Sequence, residues 1–182
     1  MNTMTLVQQC APTMARLKTG SLFTCAFPGL REMREEIRSL NRILVPRGLV
    51  VLPLRYGSGR GLIYMYRPGM LREDLKRPEA AALLKECGYR DTDPVSCIRC
   101  LIGRLSSEEE FPHEIGLFLG YPPEDVDGFM HRRDECLCCG LWKVYGNVDH
   151  AMACFERCRK CTCDYLERCR EGQCLASLVV AS

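Results

Sequence analysis

The spacing of apolar residues changes period several times along the chain, and each change predicts an element. Leu6, Cys10, Met14 and Leu17 recur at helical spacing, so the opening segment reads as one helix or two short ones, with Pro12 marking a helix start or a kink. Residues 21–27 (SLFTCAF) read as a strand. Residues 30–44 return to the helical period, with Leu30, Met33, Ile37, Leu40 and Leu44 on one side and Arg31, Glu35, Arg38 and Arg42 on the other. Residues 48–54 (GLVVLPL) and 61–66 (GLIYMY) read as strands joined through the glycine-rich YGSGR, a hairpin expected at the centre of a sheet.

Three short helices are expected near residues 68–76, 79–87 and 94–105, the last two separated by the turn-forming GYRDTDP. After Pro112, HEIGLFL makes a short apolar helix that ends at Gly120. Pro123 with Glu124 and Asp125 opens another, because proline suits the first helical position and acids suit the first turn. Residues 140–146 (GLWKVYG) alternate as a strand. The last helix, over 148–169, gathers Val148, Ala151, Met152, Phe155, Cys158, Thr162, Tyr165, Leu166 and Cys169 on one face. Few strands among more numerous helices predict an α+β fold: a single compact domain over residues 1–182, its sheet of about four strands covered by several helices.

Composition narrows the picture. A chain of 182 residues, 47% of them hydrophobic, can bury one sizeable core, which excludes a disordered tail protein and a large multidomain enzyme. The 25 basic and 23 acidic residues nearly cancel, although residues 1–75 carry eleven basic and five acidic groups and residues 76–130 six and eleven. No basic patch with interleaved aromatics accompanies this asymmetry, so no nucleic-acid partner is expected. No run approaches the ~18 apolar residues of a membrane span, so no membrane partner is expected either. The first twenty residues lack the charged and apolar regions of a secretory signal, which predicts a cytoplasmic protein. Its fourteen cysteines are then expected to be reduced thiols, serving metal binding, catalysis or plain burial ahead of a disulfide framework.

Three constellations offer chemistry. Cys10 lies two residues before Pro12; if Pro12 starts a helix, unpaired N–H groups there favour a thiolate nucleophile. His113, after Pro112 at another helix start, is the candidate base, and Glu114 beside it would orient a ring or take a proton. The plainer alternative is a buried thiol on the Leu6–Met14 face and a helix cap at 113–114. Second, Cys136, Cys138 and Cys139 precede a strand, while Cys154, Cys158, Cys161 and Cys163 follow in the last helix. An antiparallel return of that helix would bring Cys161 and Cys163 to the level of Cys136 and Cys138, a thiolate set suited to zinc or an iron–sulfur cluster. Free thiols are the alternative, since the spacing is not that of a zinc knuckle. Third, Arg55 and Arg60 flank Tyr-Gly-Ser-Gly, a pair able to clamp a phosphate or carboxylate, although a hairpin turn alone explains the glycines. Trp142, Tyr145 and Tyr121 are expected in a core or cleft wall, and His131 and His150 at the surface.

The run from Phe111 to Phe129, FPHEIGLFLGYPPEDVDGF, resembles the signature of domain-of-unknown-function family 3793. Cys10-Ala-Pro-Thr13, Gly140-Leu-Trp-Lys-Val-Tyr145 and Lys160-Cys-Thr162 agree in kind and order, so the likeness spans nearly the whole chain. The resemblance implies anaerobic Gram-positive bacteria, anaerobic redox or metal physiology and a flavodoxin-linked redox partner. It implies no reaction. The combined expectation is a small-molecule or metal-responsive accessory module in anaerobic redox metabolism. The alternatives are a thiol-dependent enzyme with Cys10 as nucleophile and His113 as base, and a protein–protein adaptor.

Overall fold

The structure, a computed structural model, describes residues 2–107 and 111–181. It is α+β, and the chain packs as two compact units, Met1–Gly69 with Cys158–Ser182 and Met70–Arg157. No helix among the described residues is long and apolar enough to cross a membrane.

In the first unit, α1 (Thr3–Met14) starts where the Asn2 side chain accepts a hydrogen bond from the Met4 N–H at 3.0 Å. Pro12 therefore lies inside the helix, near its end, and does not start it. The helix closes on a bond from the Leu17 N–H to the Pro12 carbonyl and one from Arg16 to Thr13, with Arg16 at φ 61° in the left-handed position glycine usually fills. Strands β1 (Gly20–Ala26), β2 (Val50–Gly57) and β3 (Arg60–Tyr66) form an antiparallel sheet in the order β1-β3-β2. The hairpin is real, but only β3 is central. Its partner β2 is an edge, which suits Pro53, a residue with no N–H to give a second neighbour. Ser58 and Gly59 both have positive φ (50° and 72°), the turn whose twist matches paired strands.

Helix α2 (Leu30–Leu44) buries Met33, Ile37 and Leu44. Beside that buried stripe the Asn41 side chain donates to the Val51 carbonyl and accepts from the Val51 N–H, both at 2.8 Å, so it imitates a neighbouring strand along the open edge of β2. The core joins α1, the sheet and α2 to Tyr165 and Leu178 of the C-terminal segment. Arg67 closes this unit. Its buried guanidinium donates to the carbonyls of Thr13 and Met14 at the end of α1 and of Val180 near the C-terminus, at 2.6–2.7 Å. The last carbonyls of a helix lack partners within it and carry the negative end of its dipole, so a cation there satisfies both needs.

The second unit is helical. α3 (Pro68–Leu75), α4 (Pro78–Glu86), α5 (Pro94–Ser107) and α7 (Pro123–His131) each begin with proline, and α6 (Ile115–Phe118) is a single turn. Asp93 caps α5 by accepting from the N–H groups of Val95 and Ser96. His131, expected at the surface, is exposed there and joins Asp127 of its own helix to Glu86 of α4. The alternating segment 140–146 is no continuous strand. Cys138–Cys139 (β4) pairs with Lys143–Val144 (β5), and residues 140–142 make the turn between them, closed by the Gly140 N–H on the Trp142 carbonyl at 3.0 Å. The fourth strand expected in the main sheet is thus part of a separate two-stranded ribbon. Helix α8 (Val148–Arg170) lies in both units, changing from one to the other at Cys158, and α9 (Leu175–Leu178) ends the chain in the first.

Candidate functional site

The second unit holds a cleft of about 390 Å³, lined by Phe111, His113, Ile115, Gly116, Tyr121, Asp125, Val126, Phe129, Trp142 and Lys143. Most of this wall comes from the 111–129 run, and the local chemistry of that run explains its composition. Gly116 lets α6 pass close to α7: a Cβ there would stand 2.7 Å from Val126 and 3.2 Å from Tyr121. Gly120, at φ 76°, ends the turn so that the Tyr121 N–H returns to the Gly116 carbonyl at 3.0 Å. Gly128 lies against the Tyr145 ring, where any Cβ would overlap it.

Asp125 holds the far wall. It is buried in the first turn of α7, yet its carboxylate is turned to the ribbon and not to the helix N–H groups. One oxygen accepts from the N–H groups of Tyr145 and Gly146 at 2.7 and 2.9 Å, and the other from the Trp142 indole at 2.7 Å. Buried carboxylates are costly unless bonded this fully. Trp142 is further fixed by stacking on Tyr121 (centroids 4.8 Å apart) and by an edge contact with Phe155 at 4.6 Å. The cleft is therefore preformed, since its largest ring is held on three sides.

Lys143 and Phe129 complete it. The Lys143 ammonium stands 5.6 Å from the Phe129 centroid, and the Arg133 guanidinium stands 5.7 Å from the same centroid. The His113 ring meets Phe129 edge-on at 4.9 Å.

Of the residues singled out from sequence, His113 lies on the cleft wall. Glu114 does not. It is buried, accepting from the Tyr89 hydroxyl at 2.9 Å and pairing with Arg104 at 2.8 Å, so it ties α5 and the α4–α5 loop to α6. Burial, reinforced by the Glu114 charge, pushes the Tyr89 hydroxyl well above its usual range. Cys10 is in the first unit, wholly buried on the Leu6–Met14 face in the later turns of α1. Burial pushes its thiol up to about 12, despite Lys18 and a hydrogen bond with Ser21, so the expected helix-start thiolate is corrected to a protonated core thiol.

Cys136 and Cys138 belong to the second unit, Cys161 and Cys163 to the first. Cys161 packs against the first unit's core, where burial raises its thiol to about 11, and Cys163 is exposed. Among the described residues no three His, Cys, Asp or Glu side chains gather to hold a metal ion. Arg55 and Arg60 are exposed on β2 and β3. Register places Arg55 opposite Leu62 and Arg60 opposite Gly57, so the two share one face of the hairpin as diagonal neighbours.

Sequence reasoning missed Asp125, Phe129 and Lys143. Asp125 read as an ordinary first-turn acid, and nothing nearby in sequence announces donors some twenty residues onward. The model of the family described as "Protein of unknown function (DUF3793)" matches residues 6–179. No curated protein and no solved structure matches the chain.

Proposed function

The chain belongs to that family of unknown function, and from this premise we propose that it is a small-molecule-binding module whose ligand occupies the aromatic cleft of the second unit. The cleft itself carries the reading. Its volume falls within the roughly 300–1,000 Å³ of small-molecule sites, and it has the usual make-up of such sites, an apolar lining with few polar groups. The 111–129 run that resembles the family's signature, moreover, sets Gly116 and the buried Asp125 in this wall. We place the module in the reducing cytoplasm of an anaerobic bacterium, where fourteen free cysteines would stay free. A thiol enzyme built on Cys10 is not adopted, because a buried thiol raised to about 12 is a poor nucleophile at neutral pH.

Trp142 is the chain's one tryptophan, so its fluorescence reports on the cleft without interference. Titration with a panel of small ring compounds should give saturable changes in Trp142 emission, with NMR shifts concentrated at Ile115, Val126 and the Trp142 indole. Binding that shifts signals elsewhere while these three stay silent would refute the proposal.

A further inference from the structure

We infer that the ligand of this cleft is an anion with a flat body: an aromatic ring bearing a single carboxylate, with the carboxylate at Lys143 and the ring among Phe111, Tyr121, Phe129 and Trp142. The inference rests on the small-molecule reading above and adds the sign and shape of the ligand.

The sign follows from which charges in the cleft are already answered. Among the described residues Asp125 is the only acid in the lining, and three N–H donors occupy its two oxygens at 2.7–2.9 Å. A cationic ligand would have to break bonds that hold the wall in place. Lys143 is the opposite case. It is half-buried, and no carboxylate among the described residues comes within ion-pair distance of it. Its neighbour is the face of Phe129, a weak partner that it shares with Arg133, which likewise has no carboxylate in reach among the described residues. Among the described residues, two cations without a carboxylate partner beside one ring make this end of the cleft positive and short of an acceptor.

The body follows from the rest of the lining, where Phe111, Ile115, Val126, Phe129, Tyr121 and Trp142 offer aromatic and aliphatic surface. Tyr121 and Trp142, held in fixed orientations by their stacking and by the bond from Trp142 to Asp125, offer a flat wall better suited to a planar group than to a flexible chain. A single negative charge fits better than two, because the apolar walls would not repay the desolvation of a second.

Isothermal titration of the whole chain with three naphthalenes of one shape, 2-naphthoate, 2-naphthamide and 2-naphthylmethylamine, tests the sign; octanoate tests the shape. The naphthoate should bind at least tenfold more tightly than the amide, the amine should bind more weakly than either, and octanoate should bind more weakly than naphthoate. Lys143→Met should reduce naphthoate to the affinity of the amide while leaving the amide unchanged, and Lys143→Arg should restore most of the preference. Amide or amine binding as tightly as naphthoate overturns the inference but leaves the small-molecule reading standing, and octanoate outcompeting naphthoate overturns the planar body. If Lys143→Met weakens all three naphthalenes equally, the anion contact is wrong. If none of the four probes binds, both the inference and the reading beneath it fall.

Discussion

Among fourteen free cysteines, environment separates Cys10 from Cys174 as far as two thiols can differ. Cys10 is sealed in the first unit's core and protonated, whereas Cys174 is exposed at the start of α9, where the Ser177 hydroxyl and then nearby backbone N–H groups lower its thiol. At pH 7.5, brief alkylation followed by peptide mapping should therefore modify Cys174 before the other thirteen and Cys10 last. Equal rates at the two positions would show that the chain opens on the labelling timescale. The apolar spacing of Leu6, Cys10 and Met14 already placed this thiol on a helix face that packs inward. What misled was Pro12, which a sequence offers equally as a helix start or a late insertion. The deciding signal was Asn2, whose short side chain can cap the helix ten residues earlier. Cys174 left no such trace, because the hydroxyl that tunes it acts through a turn whose geometry is not periodic.

Elements were more legible than residues. All the longer helices and the three strands of the main sheet follow from periodicity and proline placement, since an amphipathic face or a proline start is written locally. The strand at 140–146 failed for the opposite reason: its alternation is genuine, but Trp142 is drawn to Asp125, and the backbone turns there instead of running on. The same kind of non-local partnership protects β2. Replacing Asn41 with Ala would leave both the N–H and the carbonyl of Val51 without their side-chain partner, at a cost of about 1–3 kcal/mol. Denaturant titration should show the lowered stability, and light scattering should show more self-association through the bared edge. A loss of less than a few tenths of a kcal/mol would mean that water replaces the amide without penalty. Of the cleft, sequence singled out Tyr121, Trp142 and His113 but not Phe129, nor the convergence of these rings, which depends on how α6, α7 and the ribbon pack.

At the scale of the molecule, the division into two units was beyond the reach of periodicity, which sees each segment separately. Arg67 shows how the first unit is completed. Its guanidinium, held to about 10 chiefly by burial and then by nearby Arg16, stays charged at neutral pH while it serves three carbonyls. Arg67→Leu should therefore cost about 3 kcal/mol or more, because three hydrogen bonds from a buried charged donor are lost; the Thr13 and Met14 carbonyls keep the N–H groups of Arg16 and Val180, while the Val180 carbonyl loses the guanidinium. For a chain of this size that is a fall of roughly 6–12 °C in the melting temperature followed by circular dichroism. A shift below about 2 °C would mean the tail is not held by this residue. Because the first unit is assembled from Met1–Gly69 and Cys158–Ser182, order of synthesis matters to it. At roughly 5–20 residues per second, its sheet and first helices are made several seconds before Tyr165 and Leu178, which finish its core. The second unit, an unbroken stretch, has every part in hand by Arg157. During translation the half-built sheet thus waits with apolar surface uncovered, which makes the early chain, more than the finished protein, the natural client of a chaperone.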